Sequence, residues 1–390
     1  MNKLKIAVFA SLVNIGISQG QTEERKEEIE RDFQVTFFPP IGTNGVDALK
    51  TTNKFSLNIF AGASRGLKGI ELGGFVNFLS QDMKGAQGAG FVNVVLRDVN
   101  GVQGAGFVNY SGGSLNGAAL AGFVNVNLGN AKGGQFSGFC NANLGTFNGG
   151  QFAGFVNYNQ KDLKGMQAAG YVNVNLGDVE GGQVSGFVNV ARGNVRGAQV
   201  AGFVNYAKKV KGLQLGVINV ADSVDGASIG FCSFVKNGLH QVEISGDELF
   251  YTNLAFRTGT QKFYNIFSVG ASPQSKTLLW NLGYGIGSSF GISEKWRSDF
   301  SLSGYHVSKG LLYHATSELY KFYWGVEYRF AKKCFVAAGP TFNIYIGDAL
   351  LPDYAGTYSH VAPYSILNET NGSGFNFKAW AGGKIAFRFL

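Results

Sequence analysis

The tetrapeptide Gly-Phe-Val-Asn, or a close variant, starts at Gly74, Gly90, Gly106, Gly122, Gly138, Gly154, Gly170, Gly186 and Gly202, always 16 residues apart. Two shorter copies follow at Gly216 and Gly230, each 14 residues on. A fixed period of this length means one supersecondary unit used many times, so the fold solves one packing problem repeatedly. The consensus is Val-x-Gly-x-Gln-x-Ala-Gly-Phe-Val-Asn-Val, followed by turn-forming residues such as Ser111-Gly112-Gly113-Ser114. Glycine density and the lack of a 3.6-residue period exclude helix. Strands joined by turns remain. In residues 99–110 one face carries Val99, Gly101, Gln103, Ala105, Phe107 and Asn109. The other carries Asn100, Val102, Gly104, Gly106, Val108 and Tyr110.

Two architectures satisfy this pattern. Windows 101–110, 117–126, 133–142, 149–158, 165–174, 181–190 and 197–206 contain no charged residue, while Arg97, Asp98, Lys132, Lys161 and Asp162 lie between them. A water-facing sheet would carry charge in mid-strand. A ten-residue strand tilted in a barrel spans roughly 25 Å, the height of an outer-membrane apolar band. The pattern therefore predicts an all-β fold, an antiparallel outer-membrane β-barrel with the 16-residue repeats as strands. Val, Tyr and Leu would face lipid, and Gln87, Asn93, Gln103, Asn109, Gln151 and Asn157 would line the lumen. The alternative is a β-solenoid, one repeat per coil with Gln and Asn stacked in ladders, attached to a smaller C-terminal β-barrel. Uniformly short connections and the 14-residue copies favour it. A deletion within a flat strand flips its faces, whereas a solenoid corner absorbs it.

From His240 onward the repeats stop and aromatics alternate with small or polar residues. In 320–330, Tyr320, Phe322, Trp324, Val326, Tyr328 and Phe330 share one face; Lys321, Tyr323, Gly325, Glu327 and Arg329 share the other. In the last strand Lys378, Lys384 and Arg388 lie opposite Phe377, Ile385, Phe387 and Phe389, so these cations are expected to line a lumen and bias it toward anions. Connections alternate between short (293–296, 331–333) and long (306–317, 347–374). That is the pattern of tight periplasmic turns and long external loops, and it puts the C-terminus in the periplasm. The ending Ile385-x-Phe387-x-Phe389-Leu390 looks like the C-terminal signal read by the outer-membrane assembly machinery. The expected strand count is two before the repeats, eleven within them and seven after, an even total.

The chain divides at the sequence level into a signal peptide (1–20), a charged N-terminal segment (21–32), N-terminal strands (33–68), the glycine-rich repeat block (69–237) and the C-terminal barrel region (238–390). Lys3 and Lys5 precede an apolar stretch at 6–17 that is too short to span a bilayer, and Ser18-Gln19-Gly20 supplies small residues for cleavage. No run of eighteen apolar residues follows, so membrane entry requires a closed barrel. The expectation is an exported bacterial outer-membrane protein, with outer-membrane lipid and the assembly machinery as partners.

The formal net charge is +8, but the cations are scattered and form no basic run, so no nucleic-acid partner is expected. Cys140 and Cys232 replace a repeat valine and act as small hydrophobes; with Cys334 they form no zinc or redox spacing. The four histidines lack zinc-ligand spacing, and no nucleophile elbow is present. Gly283-x-Gly285-x-Gly287 alternates along a strand with no helix after it, unlike a dinucleotide fingerprint. No enzyme, cofactor or metal is expected. Two functions remain: a passive pore, or a structural or surface-interaction repeat protein anchored in the outer membrane.

The signal peptide, the Gly-x-Gln-x-Ala-Gly-Phe-Val-Asn repeats across 69–237 and the β-rich C-terminal region together resemble a family of bacterial surface-repeat-containing proteins. Lys211-Gly-Leu-Gln-Leu-Gly-Val-Ile-Asn219 is a close form of the shorter unit, and segments 33–45 and 240–264 also fit. The resemblance covers most of the mature chain and brings no catalytic or binding residues with it.

Overall fold

A computed structural model describes residues 28–274, 277–309, 317–348, 364–370 and 375–390. The expected signal peptide and most of the charged segment after it lie outside the described residues.

Each 16-residue unit forms a seven-residue and a four-residue strand, for example Val99–Ala105 and Val108–Ser111. Both pair in parallel with their copies one repeat away: Gln103 lies opposite Gln87 and Ala119, and Asn109 opposite Asn93 and Asn125. One repeat is therefore one coil of a β-solenoid of about 12 turns. The repeats are not antiparallel barrel strands, and the alternative architecture holds. Backbone spacing gives the physical reason. At the consensus glycine of the seven-residue strand φ is positive, +138° at Gly149. A Cβ there would sit 1.9 Å from the Gly133 carbonyl oxygen of the preceding coil. Only glycine allows that conformation and that approach together.

The N-terminal strands belong to the same stack. Ile29–Phe38 pairs in parallel with Thr51–Asn58, and that strand with Gly66–Gly73. Residue 69 is thus a sequence boundary and not a structural one. The short copies lose their residues at the two edges of the coil. One goes at the turn, since Val188 matches Val204 but Val195 matches Val210. The other goes at the opposite corner, since Gln199 matches Gln214 but Asn205 matches Asn219. Strand faces are preserved throughout, as expected for corner deletions.

The C-terminal region is a separate closed barrel of eight antiparallel strands: β1 (Leu239–Asp247), β2 (Thr252–Gly259), β3 (Tyr264–Gln274), β4 (Thr277–Gly291), β5 (Trp296–Lys309), β6 (Ser317–Ala331), β7 (Cys334–Asp348) and β8 (Phe375–Phe389). Neighbours pair in sequence order, and β1 closes on β8 from Val242↔Phe389 to Asp247↔Lys384. The strand Leu367–Thr370 pairs with β8 outside this ring. Eight strands replace the expected twenty, because the solenoid takes all strands before residue 236.

Candidate functional site

The six amides expected to line a lumen lie inside the solenoid. Gln87, Asn93, Gln103, Asn109, Gln151 and Asn157 are all buried, at 2% exposure or less. Their donors are spent within the stack. Asn141 Nδ2 donates to Asn157 Oδ1 at 2.9 Å and to the Phe152 carbonyl at 2.8 Å, and the same pair of bonds recurs at Asn93, Asn109 and Asn157. Gln103 Nε2 donates to Gln87 Oε1 at 3.0 Å, and Gln151 Nε2 to Gln135 Oε1 at 2.7 Å. Buried amides must be paired, and a parallel stack pairs each with a copy of itself. These residues hold the solenoid together and face no channel.

The glutamine column is irregular within its run at Ala119 and Glu71, and Ser228 follows Gln214 at its far end. Ala119 interrupts it and leaves Gln135 Nε2 without an acceptor. Glu71 begins it, accepting from Gln87 Nε2 at 2.7 Å and Asn58 Nδ2 at 3.0 Å. Burial pushes the Glu71 carboxyl above its ordinary pKa, against the lowering effect of those amide donors.

Lys378, Lys384 and Arg388 do point into the barrel, where side chains fill the interior. Near the short-turn end lie Leu239, Ala255, Tyr264 and Ile266. At the same level, with Glu243 in register with Ala255 and Arg257 with Ile266, three cations, Arg257, Lys384 and Arg388, meet three carboxylates, Glu243, Asp299 and Glu327. Arg388 contacts all three, at 2.7 Å (Glu243), 2.6 Å (Asp299) and 2.7 Å (Glu327). Arg257 pairs with Asp299 at 2.9 Å and lies over the Tyr264 ring. Lys384 pairs with Glu243. At the other end the β1–β2 turn folds inward. Leu249 and Phe250 pack with Leu279, Val307, Leu319, Tyr345 and Trp380, while Glu248 accepts from Trp380 Nε1 at 2.9 Å and Asn343 Nδ2 at 2.8 Å. An eight-stranded barrel has an interior just wide enough for side chains to fill. Sequence pattern placed Glu327, Lys384 and Arg388 on the inner face, but nothing local tied them to Glu243, Arg257 and Asp299 on distant strands.

The outer wall is apolar: Leu254, Phe256, Leu282, Leu302, Phe322, Trp324, Ile385 and Phe387 are each more than 40% exposed. The solenoid surface is two-sided. One edge carries a column of exposed rings running from Phe75 to Phe203, stacked at about 5 Å, as at Phe123–Phe139 (4.8 Å) and Phe155–Tyr171 (4.9 Å). Beside it runs a shallow groove of about 1040 Å³ whose lining includes Leu120, Phe136, Phe152 and Val184. The opposite edge consists of turns bearing Arg97, Asp98, Lys161, Asp162, Asp178 and Arg192.

The solenoid ends against the barrel wall. Barrel side chains satisfy part of the open backbone edge of the last coil, at its short strand Cys232–Val235 and the residues just before it. Asn265 Oδ1 accepts from Ser233 N at 3.2 Å, Asn265 Nδ2 donates to Gly230 O at 2.6 Å, and Thr258 Oγ1 donates to Ser233 O at 3.1 Å. An uncovered parallel edge would be a template for further strand pairing, so this contact is also a cap.

Among the described residues no helix is long and apolar enough to cross a membrane, and no group of three or more His, Cys, Asp or Glu is placed to hold a metal. Cys140, Cys232 and Cys334 are free thiols; Cys140 stands in register between Val124 and Val156, the small apolar role its repeat position implied. Comparison of the chain with protein families, curated proteins and solved structures finds no match.

Proposed function

We propose that this chain is an outer-membrane protein in which the C-terminal barrel is the anchor and the solenoid is the working part, a structural or interaction scaffold. The observation that carries this is the barrel's inversion. Its wall exposes Leu, Phe, Trp and Ile, while Arg257, Arg388, Glu243 and Asp299 are buried inside. In water such a wall would aggregate; in hydrocarbon it is the stable arrangement. The filled interior supports an anchor over a passive pore, because its charge cluster is internally paired, with Arg257, Lys384 and Arg388 on Glu243, Asp299 and Glu327, and Lys321 on Asp247. Export by a cleaved signal peptide at 1–20 and insertion by the assembly machinery complete the proposal.

The test is single-channel recording on the purified chain in a planar bilayer, with folding checked by the heat-dependent gel mobility shift of membrane barrels. The expected result is a folded, silent protein. Steady open currents would return the function to a pore.

A further inference from the structure

The height at which the solenoid meets the barrel orients every coil. The short-turn rim holds the end of β2 and the start of β3, hence Thr258 and Asn265. Ser233 bonds to both, so it lies near that rim. Val235, whose carbonyl meets His240 Nε2 at 2.7 Å, lies at the start of β1, at the rim itself. Phe231 sits on the other side of Ser233. It stacks on Tyr284 at 4.8 Å and meets Phe267 edge-on at 5.7 Å, both further up the apolar wall. The chain from Phe231 to Val235 therefore descends the wall toward the rim. Coils stack in parallel register, so the edge that carries the ring column to Phe203, and continues through Val217 to Phe231, faces the apolar band all along the solenoid, and the charged turns face away from it.

Two further observations fit one partner. The apolar part of a coil runs from the Val102 level to the Phe107 corner. At about 3.3 Å per residue this is about 15 Å, half of a bilayer's hydrocarbon thickness of about 30 Å. Just below that band, on the same strands, one register column carries the exposed cations Lys84, Lys132, Lys164, Arg196 and Lys211, with Asn100, Asn116 and Asn148 at the positions between them. Two carboxylates share the column: Glu180, paired to Lys164 at 3.2 Å, and Asp225, in register with Lys211 in the last coil. An apolar edge of one leaflet's depth, continuous with a membrane wall and underlined by cations, matches acyl chains topped by anionic headgroups.

We infer that the solenoid lies in the membrane leaflet on the barrel's short-turn side, with its aromatic edge among the acyl chains and its Lys/Arg line at the headgroups. The inference rests on the anchor proposal above. With short turns periplasmic, that leaflet is the inner one of the outer membrane. The charged turns then face the periplasm, and the solenoid does not reach the cell surface.

The test uses the full chain in vesicles of phosphatidylcholine and phosphatidylglycerol, in a background of Cys140→Ala, Cys232→Ala and Cys334→Ala. Nitroxide labels are placed singly through Phe107→Cys, Phe155→Cys, Lys164→Cys and Leu302→Cys. Collision of each label with oxygen, which partitions into lipid, is compared with collision with a water-soluble nickel chelate. The labels at 107 and 155 are expected to behave like that at 302, with an oxygen-to-nickel ratio several-fold above that at 164. Two aromatic-edge sites are used so that misfolding of one variant leaves the other. If 107 and 155 match 164 while 302 reports lipid, the solenoid stands in water and the inference falls. If both reagents are excluded at 107 and 155 while 302 reports lipid, the edge is covered by protein and the inference also falls. If 302 itself reports water, the anchor proposal fails and takes the inference with it.

Discussion

The solenoid and the barrel both bury polar side chains beside an apolar core (Val99, Leu115, Phe147 and Leu163 in the solenoid) and expose other apolar ones, but they satisfy their polar interiors in opposite ways. Solenoid amides are neutral, and each is bonded to its own copy one coil away, as Asn141 is to Asn157. A single rung of this kind is worth about 0.5–1.5 kcal/mol, and its loss leaves the rungs on either side standing. Barrel charges are each used once and lie on strands distant in sequence: Arg388 joins Glu243, Asp299 and Glu327. Removing one partner of a buried pair costs about 3–5 kcal/mol, because the remaining charge stays buried without compensation. A repeated interior therefore tolerates an exception such as Ala119, while the unique interior of the barrel has none to spare.

The largest break in this comparison is Arg388→Met. It leaves three buried carboxylates facing Arg257, Lys384 and, at 3.7 Å from Glu327, Arg297, and should cost the barrel about 3–5 kcal/mol. The two regions can be followed separately. All four tryptophans, Trp280, Trp296, Trp324 and Trp380, lie in the barrel, so their fluorescence in urea titrations reports that region. Far-UV circular dichroism reports both. The expected outcome is a lowered fluorescence midpoint with most of the dichroism transition in place. An unchanged fluorescence midpoint would mean that the charge cluster does not hold the barrel closed.

Gly149→Ala is the converse break, in the solenoid alone. Its Cβ would meet the Gly133 carbonyl oxygen at 1.9 Å, at a φ of +138°. Positive-φ strain and overpacking together should cost about 2–3 kcal/mol. The dichroism transition should shift while tryptophan fluorescence does not. If both shift together, the junction at Asn265 and Thr258 couples the two regions into one cooperative unit.

These two sites also mark what was legible in the sequence. The period and the corner deletions were readable, because a 16-residue repeat writes each packing decision many times; the faces were readable except at the corner, where Phe107, assigned to the face of Gln103 and Asn109, is exposed while they are buried. The expectation of barrel strands failed on one ambiguity. Charge-free strands with Gln and Asn on one face suit a polar lumen as well as a dry amide ladder, and alternation alone does not tell parallel from antiparallel neighbours. The consensus glycine at positions such as Gly149 was the better discriminator, since it marks an approach of backbone to backbone that a barrel wall does not need. In the C-terminal region the inner and outer faces of β6 and β8 were legible from alternation. The pairing of Arg388 with Asp299 was not, since it depends on how eight strands close, which is a long-range property. The inward fold of Leu249 and Phe250 was hidden for the same reason.

Glu71 is the point where the solenoid briefly resembles the barrel, with a carboxyl buried in an otherwise neutral column. Burial raises its folded pKa above the ordinary value of 4.5. The sign follows from linkage. Below the ordinary value the carboxyl is neutral in both states and the folded form bears no penalty. As pH rises through the folded pKa, the folded state binds the proton more tightly than the unfolded one, and stability is lost. The solenoid's dichroism midpoint should therefore fall as pH rises from the ordinary carboxylate range. Glu71→Gln, which continues the column with an amide, should flatten that dependence. A midpoint that rises with pH in the same window, and keeps doing so in the variant, would assign the dependence to other groups.

The smallest expected effect is a gain. Ala119 is buried and lies in register between Gln103 and Gln135, and Gln135 Nε2 lacks an acceptor. Ala119→Gln would let the introduced amide accept from Gln135 and donate toward Gln103 Oε1, restoring the donor direction seen from Gln151 to Gln135. Gln103 Oε1 already accepts from Ser111 Oγ at 3.0 Å, but a carbonyl oxygen has a second lone pair. One buried rung should add about 1 kcal/mol, reduced by the rotamer freedom lost when the longer side chain is fixed. The dichroism midpoint of the solenoid should rise slightly. If it falls instead, the space beside Ala119 is already closed by its neighbours, and the interruption is a packing choice rather than a missing rung. The tolerance of the repeated interior would then come from local repacking and not from the independence of its rungs.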